Sequence, residues 1–235
     1  MTLCTLPSEL RLRIYDYLPD IADRRSVAVR DATRLVPPIC RTSRQIHQET
    51  IPIYAENTHF TIDTGEDSQE GDSLLFSWLA ALKPNGVKCI RSLQLSRHWD
   101  ASQPTRWQGH VGFYVQLEKG SGEWRCTTGT YPMARDMRGM RLESIELLRH
   151  VVKQKVLSQA SLRDHQALIA SDIKLVVSAM MMVASHPISA FDTEQNEAGK
   201  KRRLEIWADM KEKLFGLHAT DGFEQDEPKR LFTPY

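Results

Sequence analysis

The run Val111-Gly112-Phe113-Tyr114-Val115-Gln116-Leu117-Glu118, then Lys119-Gly120-Ser121-Gly122-Glu123, then Trp124-Arg125-Cys126-Thr127-Thr128, decides the fold class. Val111, Phe113, Val115 and Leu117 alternate with Gly112, Tyr114 and Gln116, while Trp124, Cys126 and Thr128 alternate with Arg125 and Thr127. A period of two puts each set on one side of a pleated strand, and the glycine-rich link predicts a hairpin. The sequence before and after this unit repeats apolar residues every three or four positions, which is the helical period. The expected fold is therefore α+β: N-terminal helices, a small mainly antiparallel sheet containing this hairpin, and a C-terminal helical group.

Upstream of the hairpin, Phe60 and Ile62 alternate within residues 58–63 and predict a short strand. An acidic loop over 64–72 leads to a helix over 74–82, capped by Asp72 or Ser73, with Leu75, Trp78, Leu79 and Leu82 as its stripe. Lys83-Pro84-Asn85-Gly86 reads as a turn, and residues 89–96 as a strand with Leu93 and Leu95 on one face. Pro37-Pro38 opens a helical region over 39–55, which Pro52 should kink and Asn57 should end. The charged connection over 20–34 has room for a short helix within 24–31.

Downstream, Leu142, Ile145, Leu148, Val152 and Val156 form one helical stripe. Leu168, Ile169, Ile173, Val176, Val177, Met180 and Met181 form a second, ended by Pro187. Residues 191–199 are a polar connection. A third helix over 200–217 carries Leu204, Trp207, Met210 and Leu214, and the tail over 218–235 reads as loose. Three divisions result: an N-terminal module over 1–63, an α+β partner-binding region over 64–217 packed with the first as one unit, and the tail.

At 235 residues the chain can bury a real core. It carries 31 Lys and Arg against 30 Asp and Glu, so no global field draws it to nucleic acid or to a membrane surface. Cys4, Cys40, Cys89 and Cys126 are scattered and include no C-x-x-C pair, so free thiols in a reducing compartment are expected, with a cytoplasmic or nuclear location. No export signal or membrane span is expected either.

The N-terminal stretch Leu6-Pro7-Ser8-Glu9-Leu10-Arg11-Leu12-Arg13-Ile14-Tyr15-Asp16-Tyr17-Leu18-Pro19 reads as a helix over 6–18, with Leu6, Leu10, Ile14, Tyr17 and Leu18 in one stripe. Pro7 suits the first turn and Pro19 stops the helix. The pattern Leu-Pro-x-Glu-Leu-x-x-x-Ile-x-x-x-Leu resembles the first helix of an F-box. With Cys40-Arg41-Thr42-Ser43-Arg44-Gln45-Ile46-His47-Gln48-Glu49, then Pro52, Tyr54, Asn57 and Phe60, the two blocks resemble a group of filamentous-fungal F-box-like proteins. The resemblance covers roughly the first 60 residues. It implies that Leu6, Pro7, Leu10, Ile14 and Leu18 meet a Skp-type adaptor of a cullin ubiquitin ligase, while the remainder captures an unidentified protein substrate. The connection over 20–37 is longer and more charged than in a compact F-box, so a purely structural role for the helix stands beside this reading.

Other motifs are weaker. The eight histidines contain no H-E-x-x-H and no H-x-H, so no metal and no cofactor is expected; a spatial set of Cys126, His98 and His110 is the remaining option. Gly120-Ser121-Gly122 lacks the following helix of a nucleophile elbow. Trp99, Trp107 and Trp124 near Arg97, Arg106 and Arg125 could form an aromatic–basic surface, against which the neutral charge argues. Asp164-His165, Glu49 and Glu56 read as solvated or ion-paired groups rather than catalytic ones. Lys200-Lys201-Arg202-Arg203 resembles a nuclear import signal, with a solvated helix start as the plainer reading. No catalytic residue is expected. The expected function is non-enzymatic protein recognition, and the alternative is an enzyme or small-molecule binder with a pocket between the sheet and the Met180-Met181-Met182 helix.

Overall fold

A computed structural model describes residues 3–30, 35–65, 68–99, 112–131, 140–185 and 197–217. In chain order the elements are α1 (Ser8–Tyr15), α2 (Pro19–Ala22), β1 (Arg25–Val29), α3 (Arg44–Asn57), β2 (Thr58–Asp63), α4 (Ser68–Cys89), β3 (Ser92–His98), β4 (Gly112–Lys119) and β5 (Trp124–Tyr131). There follow α5 (Met140–Val151), a π-helical stretch over Val152–Leu157, α6 (Ser158–Ser161), α7 (Ala170–Ser185) and α8 (Glu197–Gly216). The class is α+β, with helices at both ends of the chain.

The five strands form one sheet in the order β1-β2-β3-β4-β5. It is mixed rather than mainly antiparallel: β1, β2 and β3 run parallel, whereas β3, β4 and β5 form an antiparallel meander. Parallel neighbours need crossovers, and α3 and α4 supply them. The expected short helix within 24–31 is instead β1. Its Val27-Ala28-Val29 is a β-branched-rich segment too short to make a stable turn of helix, and it gains a ladder against Phe60, Thr61 and Ile62. The sheet crosses the boundary at 63/64, since β2 pairs with β3.

Register sorts the sheet into two chemically different faces. Val29, Phe60, Ile62, Leu93, Leu95, Phe113, Val115, Leu117 and Cys126 share one face, and all are buried in a single core cluster with residues of the helices. Tyr54 of α3, Phe60 of β2 and Trp78 of α4 stack edge to face across this seam, at 5.4 and 5.0 Å. The opposite face carries Thr61, Gln94, Gln116 and Thr127 in one cross-strand row, half-buried or exposed. The described helices thus layer on one side, the apolar one, as expected when sequential strands are joined by crossovers of one hand.

Local chemistry sets the element ends. Ser43 caps α3, its Oγ accepting from the Ile46 N–H at 3.2 Å, and α3 continues through Pro52 to end at Asn57. The strand expected over 58–63 is β2. The helix expected over 74–82 is longer: α4 starts at Ser68 and ends at Cys89, broken at Lys83, whose φ of 57° lies in the left-handed region. Lys83-Pro84-Asn85-Gly86 is therefore a kink between two helical pieces, with Leu75, Trp78, Leu79 and Leu82 buried as anticipated. The strand expected over 89–96 is displaced to β3, with Leu93 and Leu95 buried on one face.

Asp172 lies in the first turn of α7. Its carboxylate accepts from the Ile169 N–H at 2.9 Å and from Arg163, closing the first turn much as a capping box does. Two carbonyls in the loop before α7, at the positive-φ residues His165 and Gln166, accept from Lys119 and from Trp124 Nε1, tying the loop to the hairpin. In α8, Met210 and Leu214 are buried, whereas Leu204 is 68% exposed, so the stripe engages the core only in the helix's second half. Val111, Pro187 and the tail over 218–235 lie outside the described residues, as does most of the acidic loop's polar tip at 66–67.

Candidate functional site

The N-terminal helix is the candidate site. The expected helix over 6–18 is shorter: α1 runs Ser8–Tyr15 with Pro7 just before its first residue, and Pro19 starts the separate α2 rather than stopping α1. Its buried face is not the apolar stripe. Arg11 and Tyr15, four residues apart, turn inward at 6% and 0% exposure. Leu10, Ile14 and Tyr17 face solvent at 47%, 38% and 85%. At about 100° per residue, this second line lies roughly a quarter turn from the first.

Arg11 and Tyr15 face inward because Glu49 of α3 meets them there. Arg11 donates Nε to Oε2 at 2.9 Å and Nη2 to Oε1 at 2.5 Å, a bidentate fork, and Tyr15 Oη donates to Oε2 at 2.8 Å. Arg11 also donates to the Leu6 carbonyl, and Gln45 Nε2 donates to Oε1 at 3.4 Å. The donated hydrogen bonds, that from Arg11 foremost, hold the Glu49 carboxyl down at about 2. Burial, reinforced by the hydrogen bond to Glu49, pushes the Tyr15 phenol up to about 12. The two sequence blocks that carry the F-box-like resemblance are therefore joined by their own polar residues.

Of the five expected contact residues, Pro7, Leu10 and Ile14 are exposed and Leu6 is half-buried, while Leu18 packs partly against the core. Tyr17 extends the exposed line, and Leu12, 43% exposed, lies apart from it on the helix. Sequence periodicity could find the stripe; only the partner of Arg11 decides which way it points.

The remaining candidates disperse. His98 lies on the polar face of the sheet and Cys126 on the apolar face, so they cannot share a metal, and His110 lies outside the described residues. No group of three or more His, Cys, Asp or Glu among the described residues could hold a metal ion. Burial pushes the Cys40 and Cys89 thiols up and Cys126 to about 11, which suits buried apolar roles rather than nucleophiles. Trp99 and Trp124 are buried, so they do not form the aromatic–basic surface; Trp107 and Arg106 lie outside the described residues. Glu56 pairs with Arg91, and Gly120 N–H donates to the Glu123 carbonyl at 2.9 Å to close the hairpin.

Met180 is fully buried in the core and Met181 and Met182 pack against it. Lys200-Lys201-Arg202-Arg203 runs from the end of the first turn into the second turn of α8, which begins at Glu197 rather than at Lys200, and Lys201 is exposed. No described helix is long and apolar enough to cross a membrane. The chain matches no protein-family model, no curated protein and no solved structure.

Proposed function

We propose that α1 is a docking element for a Skp-type adaptor and that the protein is a non-enzymatic recognition subunit of the F-box-like kind. The observation that carries this reading is the exposed line of Leu10 and Ile14 on α1, continued by Tyr17 just past its end, with the neighbouring Arg11 and Tyr15 flank of the helix pinned by Glu49. An amphipathic helix normally buries its apolar stripe. Here a charged and hydrogen-bonded flank faces inward, and the apolar side chains are held out in a fixed orientation. Rigid presentation of apolar anchors lowers the entropic cost of binding. The remainder of the chain supplies a surface for a protein substrate.

The test is binding of the intact protein to a purified Skp-type adaptor, measured by calorimetry. Wild type should bind, and Leu10→Asp with Ile14→Asp should abolish binding while Tm moves by less than about 3 °C, because both side chains already meet water. Failure of the folded wild type to bind the adaptor would sink the proposal.

A further inference from the structure

The polar face of the sheet carries two reciprocal tyrosine–glycine pairs at the end of the hairpin away from its turn. In the β4–β5 register Tyr114 stands opposite Gly129 and Gly112 opposite Tyr131. A β-carbon on Gly129 would lie 2.6 Å from Tyr114 Oη, and one on Gly112 would lie 2.5 Å from Tyr131 Cζ. Strands are about 4.8 Å apart, so a phenol end can reach the neighbouring strand's glycine only if the ring lies down along the sheet. Glycine at both positions is what makes this possible; any side chain would lift the rings. Each ring thus rests against backbone on its glycine side, and both residues remain partly exposed.

A standing group borders this floor. The His98 imidazole is 5.4 Å from the Tyr131 ring at 88° to it, and Nε2 lies 3.5 Å from Tyr131 Oη. Gln116, beside Tyr114 on the same strand face, is oriented by donating Nε2 to Glu118 Oε1 at 2.7 Å. The helical layer is on the other side of the sheet, so this floor is not needed to close the core.

The geometry points to a binding site for a neutral oligosaccharide, its ring faces stacked on Tyr114 and Tyr131 and its hydroxyls met by Gln116 and His98. The C–H face of a sugar ring carries slight positive charge and suits the negative face of an aromatic ring. Amide and imidazole groups can both donate to and accept from hydroxyls. Single-stranded nucleic acid would also stack, but it needs cations along its backbone. The charged side chains on this face of the strands are Asp63, Glu118 and Arg125, an excess of negative charge that repels phosphate. An uncharged ligand fits this balance. The inference stands independently of α1.

The experiment titrates the full chain with cellohexaose, chitohexaose, xylohexaose and mannohexaose, and in parallel with a uridine decanucleotide, following backbone amides by NMR. At least one hexasaccharide should saturably shift Gly112, Tyr114, Gly129 and Tyr131. Tyr114→Ala should weaken that binding about tenfold or more, while Tyr114→Phe keeps the stacking face and stays within about threefold. Because Tyr114 also covers Gly129, Gln116→Ala provides a variant that leaves the floor intact; it too should weaken binding. Leu10→Asp should leave sugar binding unchanged, which separates this site from the adaptor reading. No shift with any hexasaccharide, shifts confined to other residues, or binding of the oligonucleotide alone would overturn the inference.

Discussion

The Arg11 guanidinium closes on both carboxylate oxygens of Glu49, 38 residues along the chain, and this fork decides which flank of α1 faces the protein. With Tyr15 donating to the same carboxylate, α1 is attached to α3 by three directional bonds together with the burial of the Tyr15 ring, not by its Leu10–Ile14 stripe. The arrangement frees Leu10 and Ile14 from any structural duty. It also makes the attachment sensitive to pH and to the identity of each partner.

Acid should detach α1. The Glu49 carboxyl sits at about 2 in the folded protein against 4.5 when unperturbed, so its contribution is complete above pH 4.5 and is lost as pH falls toward 2. Glu49→Gln should lower Tm at pH 7 by about 4 °C or more and flatten the acid limb of a Tm-against-pH curve over that window. Arg11→Lys, which keeps the charge and loses the fork, should behave similarly. An unchanged acid limb in Glu49→Gln would show that other carboxylates dominate it.

Alkali should act through two buried phenols. Tyr15 and Tyr54 are each pushed up to about 12, chiefly by burial, from an ordinary 10. Raised phenol values mean stability present below pH 10 and lost as pH rises toward 12. Absorbance titration near the tyrosinate band should show these two ionising late, together with loss of far-UV helical signal. Tyr15→Phe and Tyr54→Phe should each remove one late step. A titration complete before pH 11 with the fold intact would contradict this burial.

Packing between α3 and α4 depends on Gly86. A β-carbon there would collide with Ile51 Cγ2, a branch fixed to its own backbone, and would press Leu82 Cβ at 3.3 Å. Glycine to alanine inside a helix normally stabilises by up to about 1 kcal/mol, but the collision should outweigh this. Gly86→Ala is expected to cost about 2 kcal/mol in denaturant unfolding. In an Ile51→Ala background, where the Cγ2 branch is gone, Gly86→Ala should cost much less than in wild type, so the two changes are non-additive.

Periodicity alone revealed most of the regular structure, and its failures share a cause. The β4–β5 hairpin, β2 and the stripes of α4 and α7 were readable because each has one strongly apolar side. β1 was not, since its five residues show no clear alternation of apolar and polar side chains beyond Ser26 and Val27 and gain their conformation from pairing with β2. The parallel order could not be read either, because alternation says nothing of strand direction. In α1 the stripe was found but its direction was not, since a distant carboxylate outweighs several exposed methyl groups. The tyrosine–glycine floor left only alternating residues as a trace, and its meaning needed the cross-strand register.

The Arg163–Asp172 pair should set the stability of the C-terminal helices. Asp172 is buried, accepts from Arg163 through both oxygens and caps the Ile169 N–H. Asp172→Ala removes the cap and leaves Arg163 unpaired, a loss of about 2 kcal/mol given that Arg163 still reaches solvent. Asp172→Asn keeps an acceptor for the N–H and should lose about half as much. Equal losses in the two variants would mean that the ion pair, not the cap, carries the effect.

The basic run on α8 gives the last prediction. Because the helix starts at Glu197, Lys200 ends the first turn and Lys201 to Arg203 lie beyond it, where the macrodipole's opposition to positive charge has largely faded. The run therefore carries little folding cost, and Lys200→Ala with Arg203→Ala should leave Tm within about 2 °C of wild type. If the run is read by the nuclear import machinery, the same double variant should lower nuclear accumulation of a fluorescent fusion. The chain is 26.9 kDa, small enough to diffuse through nuclear pores, so the fusion must be large enough to prevent passive entry. Equal nuclear signal from wild type and variant would assign these four residues to the solvated surface of α8.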